Sequence, residues 1–448
     1  MHFLFFVIIG TAQLVLLIGE KLYSFECGCV IVKGWALSAY KPPSNSPLSA
    51  ALNKPLPPAL NGWFRTVSQQ MPHLSKAQAT VLALWSFGIV TTQSCGLTSI
   101  SVLIAKLLNK KENTVRQRLR EWYWEAAAKQ GQHRQELDVT SSFAPLLLWA
   151  LSLWPTTEKR LALAMDATTL HDTFTILSLS IVYRGCAIPV AWTVLRGNSK
   201  GAWKPHWLRL FKCLEPALPR DWFVIVMADR GLYAKWLYRA ILDLGWHPFL
   251  RIKMTGTYRR AGESNFCPLS FATPKKGTSF SERVTCFRSR PLRCTLLARW
   301  DEPHVDPWLI VTDVPPEQAD VCWYAMRAWI EAGFKDIKRG GYHWNYTRIT
   351  DPKRAERQWL AIAVATLWAV TVGGEADATL PASNFDELPE NHIARKTKKL
   401  KTLPRRKLSC CRRGLLVLLA AFIARVELPM GSFYPEPWPT LEASQGSG

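Results

Sequence analysis

The sequence has little of what marks zinc-binding, disulfide-rich or repeat proteins. Its 11 cysteines are scattered, and the two closest pairs, Cys27/Cys29 and Cys410/Cys411, lack the CxxC spacing that holds zinc. We read the cysteines as reduced, mostly buried thiols of a cytoplasmic protein. No segment recurs at a fixed period, which argues against a repeat architecture.

Acidic residues are also scarce. The chain has 34 Asp and Glu against 56 Lys and Arg, which gives a formal net charge of +22. Such a charge suits a polyanionic partner, because each neutralised phosphate releases counterions and strengthens binding. Nucleic acid is the first candidate and an acidic membrane surface the second. With 448 residues and 48% hydrophobic composition, the chain can form a folded protein of two or three domains.

A complete membrane span is missing near the N-terminus. Residues 3–18 are almost wholly apolar, but a spanning helix needs about 20 such residues, and no Lys or Arg precedes them as in a signal peptide. The stretch to residue 60 is rich in Pro, Ser and Asn, which is typical of a linker. We interpret residues 1–60 as an extension that is foreign to the functional protein, with membrane anchoring as the less favoured alternative. The functional protein itself is expected to be cytoplasmic and nucleoid-associated.

Residues 61–155 have helical periodicity and are predicted to form a DNA-binding domain. The segment around residues 100–124 fits a helix-turn-helix, in which Asn113 caps the second helix. The inner face of this helix is predicted to consist of Val115, Leu119 and Trp122. The residues left outward to meet phosphates or base edges are Arg116, Gln117 and Arg120. A surface helix with solvated arginines is an equally good interpretation, and the net basicity favours DNA.

Strand patterns dominate from about residue 158. Three β-rich runs are followed by a helix, a strand, a helix and another strand. This is the order of a ribonuclease-H-like core, an α/β fold in which a mixed sheet starts as an antiparallel meander and continues with parallel strands. Asp166 would lie midway along the first, central strand. Asp229 would end the fourth strand, which neighbours the first, so the two side chains should lie close together.

The core is predicted to be interrupted and then completed by a helix. Residues 254–307 have the alternation of a β-rich insertion. The chain then returns as a strand, and Glu317 opens a long helical pattern that carries Glu331. Residues 156–375 would thus form one catalytic domain, followed by a basic C-terminal region over residues 376–448.

Two aspartates on buried strands indicate that a cation lies close to them. Removing such a carboxylate from water costs roughly several kcal/mol unless a cation or hydrogen bonds compensate. Taken singly, Asp166 could cap a turn and Asp229 could pair with Arg230. Glu331 shifts the balance, because its helical pattern places it on one polar stripe with Tyr324, Arg327 and Lys338. An ordinary amphipathic helix would look similar, but beside two aspartates this set supplies metal ligands, phosphate-binding cations and a hydroxyl donor.

The same residues resemble a known family. The Y-R-E-K signature of the DDE transposases of the insertion-sequence-four family is matched in spacing by Tyr324, Arg327, Glu331 and Lys338. The contexts MDAT around Asp166 and ADRG around Asp229 are also similar to that family. The resemblance covers about residues 60–375. It implies a ribonuclease-H-like transposase that cuts and rejoins DNA at the inverted-repeat ends of an insertion sequence.

The resemblance also implies roles for individual residues. Two Mg²⁺ ions, for which Mn²⁺ can substitute, would be held by Asp166, Asp229 and Glu331. DNA phosphates near the transposon end would be bound by Tyr324, Arg327 and Lys338. Trp308 matches the position of a tryptophan on which a flipped base stacks, although a core strand residue is an equal interpretation. The expected partners are double-stranded DNA, as transposon ends and target, and a second copy of the chain in a synaptic homodimer.

Two other functions compete with this one. A DNA-binding regulator or transposition inhibitor of the same fold would have lost catalysis, which the intact triad argues against. A nuclease of the same fold would cleave DNA without joining it. The membrane alternative depends on residues 3–18 alone.

Overall fold

The computed structural model describes residues 5–8, 13–18, 21–26, 58–130, 134–197, 202–302, 304–379 and 408–440. The chain divides into two compact units, residues 1–46 and residues 47–448. The described part of the first unit is an antiparallel sheet of β1 (Phe5–Ile8), β2 (Gln13–Ile18) and β3 (Lys21–Glu26). The membrane helix considered for residues 3–18 is therefore wrong for the described part of that segment, whose Phe, Val and Ile content suits paired strands.

The described part of the second unit begins with helices. In chain order they are α1 (Pro58–Gln70), α2 (Lys76–Thr92), α3 (Leu97–Leu108) and α4 (Glu112–Trp122). Ser75 begins α2 through a capping box, in which its side chain and that of Gln78 each bond the other residue's backbone N–H. Helix α2 is apolar on all sides and mostly buried, as a core helix should be.

Helix α4 begins earlier than predicted. The residue that precedes its first turn is Lys111, and Asn113 lies inside that turn, so the prediction that Asn113 caps the helix is wrong. The connection is short because Asn109 ends α3 in the left-handed conformation (φ 50°), which asparagine tolerates better than most residues. The predicted inner face is confirmed as buried: Val115, Leu119 and Trp122.

A ten-stranded mixed sheet forms the centre of the second unit. The predicted antiparallel meander comprises β4 (Arg160–Leu170), β5 (Phe174–Tyr183) and β6 (Cys186–Arg196). The strands that continue in parallel beside β4 are β7 (Phe223–Ala228) and β8 (His247–Arg251). The helices before and between these strands are α5 (Phe143–Ser152), α6 (Lys204–Leu214) and α7 (Lys235–Asp243). This order is consistent with the predicted ribonuclease-H-like core.

The insertion is β-rich, as predicted, and it extends the central sheet. Its strands are β9 (Thr257–Arg260), β10 (Cys267–Pro268), β11 (Thr278–Cys286) and β12 (Leu292–Trp300). Strand β12 pairs antiparallel with β13 (Trp308–Thr312), which in turn pairs antiparallel with β8. The full order is β10-β9-β11-β12-β13-β8-β7-β4-β5-β6. The insertion therefore leaves and rejoins the core through one sheet edge.

The helical segment that carries Glu331 changes its hydrogen-bonding pattern along its length. It begins as a 3₁₀-helix at Val321–Ala328, continues as α8 (Trp329–Lys335) and ends in a π-helical turn at Asp336–Gly340. The predicted start at Glu317 is wrong by four residues. Asp320 sets the observed start, because its side chain accepts a hydrogen bond from the backbone N–H of Cys322 and so satisfies a helix-end donor.

Two further helices complete the core, α9 (Pro352–Ala376) and α10 (Cys410–Ile423). Glycines allow them to touch, since a Cβ on Gly414 would overlap the Ala369 carbonyl oxygen at 1.8 Å. The Trp63 ring of α1 stacks on Trp368 of α9 at 3.8 Å, so the N-terminal helices share this core. Helix α9 is long and apolar enough to cross a membrane, as is the bent pair α2 and α3, but 89% of its apolar window is buried inside the protein. The basic run of the C-terminal region, residues 394–407, lies outside the described residues.

Candidate active site

The sheet brings the two predicted aspartates to neighbouring positions. Met165 of β4 lies opposite Ala228 of β7 in parallel register, and Asp166 and Asp229 are the next residues along. One oxygen of Asp229, Oδ1, accepts hydrogen bonds from two backbone N–H groups of the following turn, at 2.9 and 3.1 Å. The Asp166 Oδ1 atom accepts one from a backbone N–H at 2.8 Å. In each carboxylate the backbone thus fixes one oxygen, and the other oxygen takes part in a shared ion pair.

That ion pair is made by Arg327, which is 3% exposed in its side chain. Its Nη2 atom lies 2.7 Å from Asp166 Oδ2 and 3.9 Å from Asp229 Oδ2. Its Nη1 atom lies 2.5 Å from Glu331 Oε1. One guanidinium therefore contacts all three carboxylates of the predicted triad, although these come from a strand, a strand end and a helix.

Glycine allows Glu331 to reach this position. Helix α8 packs against β6, and a Cβ on Gly333 would come within 2.8 Å of the Ala187 Cβ of that strand. Only a residue without a side chain fits so close an approach. Arg327 lies in the 3₁₀-helix and Glu331 in α8, and the two side chains form an ion pair four residues apart.

Burial dominates the electrostatics of the site. It raises the pKa of Asp166 to about 6, an effect that Arg327 opposes and that the neighbouring carboxylates of Asp229 and Glu331 reinforce. Burial lowers the pKa of Arg327, but the three carboxylates and Tyr324 more than offset this, so its pKa is raised overall. The site thus holds three acidic groups against one permanent cation in a poorly solvated place.

Tyr324 and Lys338, the other members of the predicted stripe, lie at the same edge of the sheet. The Tyr324 hydroxyl is buried and donates a hydrogen bond to the Ala228 carbonyl oxygen at 3.3 Å, and burial raises its pKa. The Lys338 ammonium donates to Thr168 Oγ1 at 2.7 Å and to the Thr169 carbonyl oxygen at 3.2 Å. Its pKa is lowered, first by burial and then by the nearby Arg339. Lys338 therefore lies two to three residues along β4 from Asp166.

Arg251 and Asp306 were missed in the sequence, and Arg230, considered there as an ion-pair partner of Asp229, pairs with Asp306 instead. Arg251 ends β8, is 7% exposed, and donates a hydrogen bond to the Pro307 carbonyl oxygen at 3.1 Å. Burial lowers its pKa, with Tyr324 and Asp229 among its titratable neighbours. Arg230 and Asp306 form an exposed ion pair at 2.9 Å beside the same edge. Arg251 could have been found from the rule that parallel strands end at a common edge, because it closes the strand after Asp229.

Trp308 begins β13 and is 5% exposed. Its ring packs edge-on against Tyr324, with the ring centroids 5.5 Å apart, and against His304 at 5.2 Å. This burial agrees with the interpretation of Trp308 as a core strand residue. A base could stack on this ring only after the covering residues moved, so that role stays a prediction.

The helix-turn-helix residues lie on α4, which packs mainly against α3 and α2. Arg116 is exposed, as expected for a residue that meets DNA. Gln117 and Arg120 are partly buried and bond each other, and Gln117 also donates to Glu121 at 2.5 Å. The Arg120 guanidinium lies over the Trp124 ring at 4.6 Å. The structure thus presents Arg116 openly and holds the other two side chains against their own helix.

The predicted metal ligands can be tested by their chemistry and their spacing. Three carboxylates form an oxygen donor set, which suits Mg²⁺ or Mn²⁺. Among the described residues, however, no three acidic, His or Cys side chains are close enough to share one ion. The guanidinium of Arg327 occupies the common centre of the three carboxylates. The donor set therefore fits a divalent cation, while the present spacing fits the arginine.

The fold and the site together define an α/β protein with a three-carboxylate centre at the carboxyl end of its parallel strands. Residues 190–368 match the family model described as Transposase DDE domain. The match begins in β6, ends in α9 and contains Asp229 and Glu331, while Asp166 precedes it. It supports a DDE transposase, a protein of DNA transposition and in general a DNA-cleaving enzyme. A search of curated proteins finds no match.

Proposed function

We propose that this protein cleaves DNA strands at the inverted-repeat ends of an insertion sequence and transfers them to target DNA, as a cut-and-paste transposase. The observation that carries the proposal is the meeting of Asp166, Asp229 and Glu331 around one buried guanidinium. Three negative charges against one positive charge make an unbalanced cluster, which is costly in a poorly solvated site. Such a cluster is a candidate for chemistry, since perturbed carboxylates concentrate at functional sites.

The reaction divides between the bound metal and the chain. Two Mg²⁺ ions, or Mn²⁺ in their place, would be held by the three carboxylates, and when bound they supply an activated hydroxyl and a stabilised leaving oxygen. The fold positions the three carboxylates. The parallel register of β4 and β7 places the aspartates side by side, and Gly333 lets Glu331 approach the sheet. Backbone N–H groups hold one oxygen of each aspartate in place.

DNA would be held around this centre by groups of different kinds. Lys338 is tethered to the strand that carries Asp166, so its charge can reach a phosphate next to the scissile bond. Tyr324 and Arg327 complete the Y-R-E-K spacing of the insertion-sequence-four family, to which we assign the chain. Arg116 of α4 is exposed, and it would contact the groove or backbone of DNA, with Gln117 and Arg120 beside it. Both transposon ends would be joined by a homodimer of the chain.

One experiment separates this proposal from its competitors. The full-length protein is incubated with Mg²⁺, DNA that carries the inverted repeats flanking its gene, and a supercoiled target plasmid. A transposase yields strand-transfer products, a nuclease of the same fold yields only cleaved ends, and an inactive regulator yields a shifted DNA band with no cleavage. Absence of both cleavage and transfer with intact binding would replace the proposal by the regulator.

A further inference from the structure

Arg327 lies where a divalent cation would bind the three carboxylates. Its side chain is 3% exposed, and its two terminal nitrogens lie within 2.7 Å of Asp166, 2.5 Å of Glu331 and 3.9 Å of Asp229. These are the oxygens that a divalent cation would need. A guanidinium and a metal ion compete for these oxygens, because a lone pair that accepts a hydrogen bond from Arg327 is not available to coordinate a metal.

We propose that Arg327 is the resident counter-cation of the metal-free site, and that divalent ions bind only by exchanging places with it. The proposal rests on the proposed function for the identity of the incoming ion. In the metal-free protein, Arg327 holds the triad together by ion pairs. When a divalent ion takes the carboxylates, the guanidinium is released to another anion, and a DNA phosphate is the anion that the proposed reaction would offer.

Charge balance supports the exchange. Two divalent ions would bring four positive charges to the three carboxylates and would neutralise them without the guanidinium. With Arg327 in place, no three acidic, His or Cys side chains among the described residues are close enough to share an ion. The arginine therefore competes with divalent ions for the same oxygens. It follows that the DNA-free protein should bind divalent ions weakly, because each ion must first displace a buried ion pair.

A second buried arginine provides a matched control. Arg357 of α9 is also 3% exposed in the structure and is held by Glu136 and by the Tyr123 carbonyl oxygen at 2.9 Å. It pairs with carboxylates but not with the triad. Removing its charge should destabilise the protein without changing metal binding, which separates competition from a general effect of losing a buried arginine.

The first test measures Mn²⁺ binding to the full-length, DNA-free protein by calorimetry. Arg327→Met should bind Mn²⁺ at least about tenfold more tightly than the unchanged protein, because breaking a buried ion pair by removing one partner leaves uncompensated charge. Arg357→Met should bind as the unchanged protein does. Adding Asp229→Asn to Arg327→Met should remove the tight binding and so locate it at the triad. Equal or weaker Mn²⁺ binding by a folded Arg327→Met would overturn the proposal.

The second test needs no substitution. Phenylglyoxal modifies accessible arginines, and modified peptides are located by mass spectrometry. Modification of Arg327 should rise several-fold when Mn²⁺ is added, while Arg357 stays protected in both conditions. Protection of Arg327 that Mn²⁺ does not change would overturn the exchange even if Arg327→Met failed to fold. Neither test uses DNA, so failure of the strand-transfer assay alone would remove the proposed function and leave the exchange standing.

Discussion

Asp166→Asn should stabilise the metal-free protein while it abolishes cleavage. The reason lies in the pKa of Asp166, which burial raises from 3.8 to about 6 despite the ion pair with Arg327. Between about pH 4 and about pH 6, this carboxyl group is ionised in the unfolded chain but still protonated in the folded protein. The free energy of unfolding therefore falls as the pH rises through this range. Above that range the cost is constant. Asparagine is neutral at every pH and avoids it.

The size of the effect follows from the same shift. A difference of about two pKa units, at about 1.4 kcal/mol per unit, corresponds to about 3 kcal/mol in the free energy of unfolding. The loss of hydrogen bonding between Arg327 and the charged carboxylate is already contained in that pKa. We therefore expect Asp166→Asn to raise the free energy of unfolding by about 1–3 kcal/mol at pH 8, and to leave it unchanged near pH 4.

Urea unfolding at pH 8 and pH 4, with EDTA present, measures this difference. Asp336→Asn is a matched control, because burial also raises the pKa of Asp336 to about 6 although the side chain lies outside the triad. It should give a similar gain at pH 8 and retain strand cleavage. A lower free energy of unfolding for Asp166→Asn than for the unchanged protein at pH 8 would refute the electrostatic reasoning.

Three further predictions concern single residues. Asp229→Asn and Glu331→Gln should each remove strand cleavage but leave DNA binding in a gel-shift assay, because a metal ligand is lost while the basic surface remains; cleavage by either variant would count against the triad. Lys338→Ala should weaken binding of transposon ends and lower the slope of log affinity against log salt by about 1, and an unchanged slope would exclude Lys338 from the phosphate contacts. Gly414→Ala should lower the free energy of unfolding by at least about 1–3 kcal/mol in urea titration, because its Cβ would overlap the Ala369 carbonyl oxygen; an unaltered midpoint would show that α9 and α10 can separate at no cost.

Local errors in the sequence interpretation fell at helix starts. The sequence predicts Asn113 as a helix cap and Glu317 as the opening of a helical pattern, whereas the observed helices begin after Lys111 and Asp320. Several residues near each start could cap the helix, and the tertiary path of the chain selects among them. The 3₁₀-helix before α8 was also missed, because periodicity alone does not distinguish it from the first turns of an α-helix.

The sequence by itself determined the order of strands and helices and the neighbouring positions of Asp166 and Asp229. Both follow from local patterns: β-rich runs fix the strands, and a parallel fourth strand beside the first brings equivalent ends together. Tertiary structure alone decided that the insertion extends the central sheet through β12 and β13, and that Arg327 lies among the carboxylates. The spacing of Arg327 and Glu331 predicts that they share one helix face, but it does not predict which strands pack against that face. A side chain's ion pairs depend on which distant elements pack against it, and only the folded chain fixes that.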